Sequence, residues 1–466
     1  MPSRLLRIPH GHDRSVTSVL WFRRDLRLRD HPALHEAAKH GPVVALFVLD
    51  PALLRPAGAP RVAFLYRTLR TLDAELRNHG GALIVRSGDP VHAVPKVVRE
   101  AGAGSVHVSA DFGPYGSRRD GEVDKTLSAR GDVPLVRTGS PYAIAPGRVT
   151  KDDGEPYKVY TPFFRAWSEH GWRAPATTIS GRVDWHTSLN SVEIPKDPAL
   201  PAGLELPEPG EDAALRAWRA YRDKGLLATY AGDRNRPDLD RTSHMSVYLK
   251  WGCIHPRTIL ADLAPGDEVY RKELAWREFY VTVLHRWPAS AREYYLPQFA
   301  TMEYARAGTK AFAAWCDGRT GFPIVDAGMR QLLGEGWMHN RVRMIVASFL
   351  VKDLHIEWTH GARHFMAHLV DADLASNQHG WQWTAGTGTD AAPFYRVFNP
   401  VTQGLKFDPD GDYVRRWIPE LRGVEGKAVH EPWELPGGVP DGYPDRIVDH
   451  QAERLVALER YQDAKQ

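Results

Sequence analysis

Through the first third of the chain, short runs of consecutive apolar residues alternate with longer stretches of helical periodicity. SVLWF (18–22), VVALFVLD (43–50), LIVRSG (83–88), SVHVSA (105–110) and VPLVRTG (133–139) are separated by segments such as VAFLYRTLRTLDAELRNHG (62–80). In that segment the apolar positions recur every three or four residues, as on one face of a helix. Strands alternating with helices predict a parallel sheet with helices on its faces, a Rossmann-like α/β domain over 16–145. The GxGxxG fingerprint of dinucleotide sites is missing. Ligands of such sheets nevertheless sit beyond the carboxyl ends of the strands, where Asp50 closes VVALFVLD and Asp111 follows SVHVSA.

The pattern changes after this domain. Residues 146–210 read as an inter-domain connector, Pro-rich and poor in periodicity from about 170 onward. From 211 to 450 strand-like runs almost vanish and amphipathic helices dominate, for instance AALRAWRAYRDKGLLATYA and GWMHNRVRMIVASFLVKDL. The second domain is expected to be mostly α-helical.

Composition narrows the function classes. A chain of 466 residues, 43% hydrophobic and 25% charged, is an ordinary globular protein rather than a disordered or fibrous one. No run approaches the ~18 apolar residues of a membrane span. The basic N-terminus lacks the apolar stretch of a signal peptide, so a cytoplasmic protein is expected. Cys253 and Cys316 have no CxxC partners, which argues against a disulfide framework or a zinc site. The net charge of +3 leaves room only for a local nucleic-acid patch. Tryptophan is the outlier: ten of the fifteen lie after residue 250, which puts the aromatic chemistry in the helical half.

Four segments there carry more polar and aromatic groups than a core needs. In TSHMSVYLKWG, Thr242 and Ser243 precede a helical pattern, so they read either as a phosphate cradle or as an ordinary cap. In KELAWREFY, Glu273, Trp276, Arg277 and Tyr280 share a helix face, as a wet cleft lining or as a routine Glu273–Arg277 surface pair. In GWMHNRVRMIVASFL, Asn340, Met344 and Ala347 fall on one face, with an Asn inside an apolar helix that needs a partner, while His339 reads as a structural hydrogen-bonding histidine. DADLASNQHGWQW brings Asp371, Asp373 and Asn377 close together, suited to acid/base work or to receiving a ligand's N–H groups. Trp381 and Trp383, if helical, point about 200° apart and serve different partners.

WFRRDLRLRDHPAL, TSHMSVYLKWG, ELAWREFY, GRTGFPIVDAGMRQL, GWMHNRVRM and DADLASNQHGWQWTAGTGTDAAP, in this order, resemble the motifs of the DNA photolyase/cryptochrome family from about Ser18 to Asp445. WMHNRVRM resembles the class I cyclobutane-pyrimidine-dimer photolyases within it. The resemblance implies an antenna domain followed by a helical domain that holds FAD folded into a U. Tyr230 and Thr242, Ser243, His244, Met245 and Ser246 would hold the flavin's phosphates and ribityl chain. Asp371 and Asp373 would meet the ring edge and the adenine side, Arg343 would balance their charge, and Asn377 would face the flavin N5. A neutral amide there does not readily protonate a flavin radical anion.

Trp276 and Trp383 would form the slot for a flipped dimer, with Glu273 and Asn340 on its polar edge and Met344 packed against it. Arg234, Arg277, Arg341 and Arg396 are assigned to DNA, as phosphate contacts without sequence information. Trp381, Trp358 and then Tyr304 would relay electrons to the flavin; the relay's usual third tryptophan should precede Trp315, where the chain reads MEYARAG. Arg24, Phe47, Asp50, Asp111 and Lys250 resemble an 8-hydroxy-5-deazaflavin antenna pocket, with methenyltetrahydrofolate as the alternative. The implied activity is light-driven repair of cyclobutane dimers by a monomer acting on damaged DNA, with no metal, membrane or obligate protein partner. A cryptochrome-type blue-light receptor is the alternative, and a dark flavin oxidoreductase would need a nicotinamide site that no motif supports.

Overall fold

The structure is a computed structural model that describes residues 16–389 and 395–465. Five strands, β1 (Ser18–Phe22), β2 (Val43–Leu49), β3 (Leu83–Ser87), β4 (Ser105–Val108) and β5 (Leu135–Arg137), form one parallel sheet in the order β3-β2-β1-β4-β5. Side chains alternate across it. Val19, Trp21, Val44 and Leu46 pack on one face, while Leu20, Phe22, Ala45 and Phe47 pack on the other. Burial on both faces explains why these strands read as continuous apolar runs. The strand order reverses between β1 and β4, and the segments leaving those two strands carry Arg24 and Asp111. That is the crevice where such sheets take ligands.

The second face of the sheet does not close on its own domain. Its core cluster runs through Tyr160, Phe163 and Trp167 into Tyr248, Leu274 and Phe279, so the helical region buries itself on the sheet. A separate core holds Trp315, Trp358 and Trp381.

The connector is more ordered than its composition implies. It contains a helix, Tyr160–His170, and beyond it the backbone of Asp184 and His186 bonds Val43 at the sheet. Two residues of the next domain's helix Glu268–Arg286 grip the chain just before the connector. The buried Glu278 carboxylate accepts from the Ala143 and Ile144 amides and from the Trp167 indole, and burial raises its pKa. The guanidinium of Arg277 donates to the Pro141 and Leu249 carbonyls at 2.9 and 3.2 Å and lies 4.6 Å over the Tyr142 ring. Two of its N–H donors are thus engaged at the domain junction, and Glu273 pairs with Arg234 rather than with Arg277.

Candidate active site

Three helices surround the site. Glu268–Arg286 carries Glu273 and Trp276, Leu374–Ala385 carries Asn377, Trp381 and Trp383, and Asn340–Lys352 carries Met344. The helix of Trp383 packs against both of the others. Asn340 is the first residue of its helix and is exposed, not interior as the periodicity indicates. The cause is His339, which caps the helix by accepting the Arg341 amide at 3.2 Å. Burial, reinforced by neighbouring positive charge, lowers its pKa to about 3, so the ring stays neutral. Met344 follows on the same face and is half-buried.

Glu273 pairs with Arg234 at 2.7 Å. Burial raises the carboxyl's pKa, and Arg234 offsets part of the rise. Arg341 donates to Asn235 Oδ1 at 3.1 and 2.8 Å, lies over the Phe407 ring and contributes to the field at Glu273. Trp276 is half-buried and stacks on Tyr160 with ring centroids 3.6 Å apart and planes at 7°. Tyr160 is itself tied to the Lys272 carbonyl. Sequence reasoning missed Tyr160 because it comes from the connector, where no periodic signal points to the site.

Asp371 has a buried side chain, paired with Arg343 at 2.9 Å, and its Oδ1 has no hydrogen-bond partner. Arg343 is held in turn by the Met338 carbonyl. Asp373 behaves otherwise. It caps its helix by accepting the Ser376 amide and pairs with Arg24 at 2.5 Å. Although burial opposes ionisation, Arg24 and Lys250 hold its pKa well below the carboxylate range. Each oxygen of Asp373 thus has a partner, and one of them is the Arg24 expected in an antenna pocket. Lys250 lies in the same charged cluster, where burial and Arg24 lower its pKa to about 7. Asp111 pairs with Arg119 at 3.4 Å, and Asp50 caps the Ala52 amide and accepts from Tyr115. Phe47, in β2, packs in the core on one face of the sheet.

Among Thr242 to Ser246 the hydroxyl contact to the helix start is a long one, from the Met245 amide to Ser243 Oγ at 3.5 Å. The helix they lead into, Met245–Trp251, begins after His244, which adopts φ 53° and stacks on Trp337 at 4.0 Å. Met245 is buried at 2% exposure and packs in the core. Ser243 bonds the Tyr270 hydroxyl at 2.7 Å, Ser246 accepts the Trp337 indole at 3.3 Å, and the buried Thr242 Oγ1 has no partner. Tyr230 is buried with its ring 4.9 Å from that of Tyr270.

Asn377 spends both amide hydrogens, on the Ala362 carbonyl at 3.1 Å and on Gln378 Oε1 at 2.8 Å, so its free group is an acceptor oxygen. Trp381 is buried at 2% exposure while Trp383 is half-buried. The Trp381 ring lies 4.9 Å from Phe365 and 6.1 Å from Trp315, and a Cβ added at Gly361 would fall 2.1 Å from it. Trp358 shares this core, and both indole N–H groups lack partners. Gln382, another residue the sequence did not single out, fixes this helix by bonding the 290–295 segment through the Ser290 and Glu293 carbonyls and the Tyr295 amide. Arg396 is exposed beside the undescribed 390–394. Among the described residues, no cluster of His, Cys, Asp or Glu could hold a metal ion, and no helix is long and apolar enough to cross a membrane.

An orphaned carboxylate oxygen at Asp371, an orphaned hydroxyl at Thr242 and a free amide oxygen at Asn377 are the acceptors and donors that a polar, N–H-bearing cofactor such as a flavin would satisfy. The residues present fit that group.

Comparison with known proteins agrees. The family profile described as DNA photolyase matches residues 18–180, and that described as the FAD binding domain of DNA photolyase matches 270–463. The deoxyribodipyrimidine photo-lyase of Streptomyces griseus is 41% identical over 95% of this chain and 98% of its own length. A crystal structure of a bacterial class III photolyase from Agrobacterium tumefaciens superposes with TM-score 0.87 at 36% identity, covering 97% of this chain and 98% of that one. The cryptochrome of Synechocystis sp. superposes with TM-score 0.85 at 26% identity, covering 96% and 99%. With both domain profiles matched in order and near-complete coverage of a relative above 30% identity, the chain belongs to the DNA photolyase family.

Proposed function

We propose that this protein repairs cyclobutane pyrimidine dimers in DNA, using light. The observation that carries the reading is the Glu273 carboxyl, lifted in pKa by burial and set on one helix with the half-buried indole of Trp276. Burial disfavours its charged form, and a hydrogen bond to a pyrimidine edge would take the place of its pairing with Arg234. Trp276, stacked on Tyr160, would offer an indole surface to an extruded base. Trp383 supplies a second aromatic surface, Asn340 a polar edge, and Met344 an apolar filler.

FAD is the cofactor, and its bound reduced form supplies a light-driven electron to the dimer and recovers it after the ring opens. Asp371 with Arg343, Thr242, Ser243, Ser246 and Tyr230 would hold it. Asn377 would present its oxygen, a group that accepts a hydrogen bond and has no proton to give. Trp381 and Trp358 would carry electrons inward. Arg234, Arg341 and Arg396 would meet phosphates, and Arg234 would exchange its bond to Glu273 for one as the dimer takes the carboxyl. Asp50, Asp111 and Lys250 would line an antenna pocket for 8-hydroxy-5-deazaflavin, or for a folate. The protein would work as a cytoplasmic monomer. A receptor role draws no support from resemblance to a cryptochrome fold, because one fold serves both functions.

The test is an oligonucleotide with one defined thymine dimer, incubated with reduced holoprotein in light and in dark and then chromatographed. Restored thymines in light alone, lost in Glu273→Ala and Trp276→Ala, are expected. An intact dimer after illumination with the flavin reduced refutes the reading.

A further inference from the structure

The aromatic neighbour of Trp358 is a residue that no motif indicates. Tyr294 meets the Trp358 ring edge-on, with centroids 6.1 Å apart and planes at 86°. Its hydroxyl donates to Glu357 Oε1 at 3.0 Å, and Glu357 is the residue immediately before Trp358. Trp358 is fully buried, whereas Tyr294 and Glu357 are half-buried. Tyr294 therefore joins an interior indole to the protein surface.

The chemistry of tyrosine gives this arrangement its meaning. A phenol that loses an electron becomes a strong acid, so its oxidation needs a base already in hydrogen-bond contact, within roughly 2.6–3.2 Å. Glu357 is such a base, and its exposure lets the proton leave. Tyr304, the aromatic residue that the sequence offers for this step, lacks one. Its buried hydroxyl lies against that of Tyr294, a neutral phenol, and has no carboxylate in hydrogen-bond contact.

We propose that Tyr294, with Glu357 as proton acceptor, is the residue that reduces oxidised Trp358. The inference rests on the reading that Trp381 and Trp358 pass an electron to a photoexcited oxidised flavin. The step balances: the Trp358 radical cation gains one electron from Tyr294, and the phenolic proton passes to Glu357. Neutral Trp358, a neutral Tyr294 radical and a protonated Glu357 result. A small external thiol then returns a hydrogen atom to Tyr294.

The experiment is flash excitation of the oxidised, flavin-loaded full chain, with the protein radical followed by transient absorption and electron paramagnetic resonance. A tyrosyl signal is expected in the unmodified protein and in Tyr304→Phe. In Tyr294→Phe it should be lost and replaced by a persistent tryptophan radical, and in Glu357→Gln it should appear later. Flavin content reports whether each variant has folded, and Glu357→Gln carries the test if Tyr294→Phe does not. A tyrosyl signal that survives Tyr294→Phe, or a tryptophan radical with no tyrosyl successor in the unmodified protein, overturns the proposal. A protein radical undiminished in Trp381→Phe instead overturns the relay reading beneath it.

Discussion

His339 ties the stability of the Asn340–Lys352 helix to pH. The ring is 3% exposed, accepts the Arg341 amide through Nδ1 and leaves Nε2 buried without a partner. In the unfolded chain it titrates near 6.5, in the folded protein near 3. Between these values the unfolded state binds the extra proton, so stability is fully present above pH 6.5 and is lost as pH falls towards 3. Lowering the pH from 7 to 5 should cost about 2 kcal/mol from this residue alone. His339→Asn keeps a side-chain acceptor at the cap and removes the titrating group. The measurement is urea unfolding of both proteins at the two pH values, with the difference of differences isolating the residue. The variant should lose about 2 kcal/mol less than the parent. Equal losses would refute the buried, neutral state of His339 and with it the account of how this helix begins.

Two further outcomes follow from contacts already described. Gly361→Ala puts a methyl 2.1 Å from the Trp381 ring and 2.5 Å from Leu350 Cδ2, and should destabilise by about 1–3 kcal/mol in thermal or urea unfolding; an unchanged midpoint would mean that this helix pair is looser than described. Arg341→Ala should reduce the slope of log affinity for damaged DNA against log salt by about 1, whereas Arg277→Ala, whose charge is spent at the domain junction, should leave that slope unchanged; equal reductions would return Arg277 to the DNA surface.

The sheet was legible because its strands are buried on both faces, which writes each as an unbroken apolar run. The helices of the second domain were legible from their period, and the ordered motifs carried the family. Boundaries were less so: Asn340 reads as interior because periodicity does not register a cap made by a single histidine. What the one-dimensional pattern could not hold is pairing across long separations. Arg24 and Asp373 are 349 residues apart, and only folding shows that they pair with each other. Arg277 donates to two backbone carbonyls from elsewhere in the chain, a pairing no local pattern indicates. Tyr160 behind Trp276, and Tyr294 between Trp358 and Glu357, carry no periodic signal, because a stacked ring or a hydrogen-bonded base is defined by distance in space. The sequence by itself determined the elements, their order and the family, since these rest on local periodicity and on motif order. The tertiary structure alone decided which charges are spent and which remain available, since that depends on partners that only folding brings within a few ångströms.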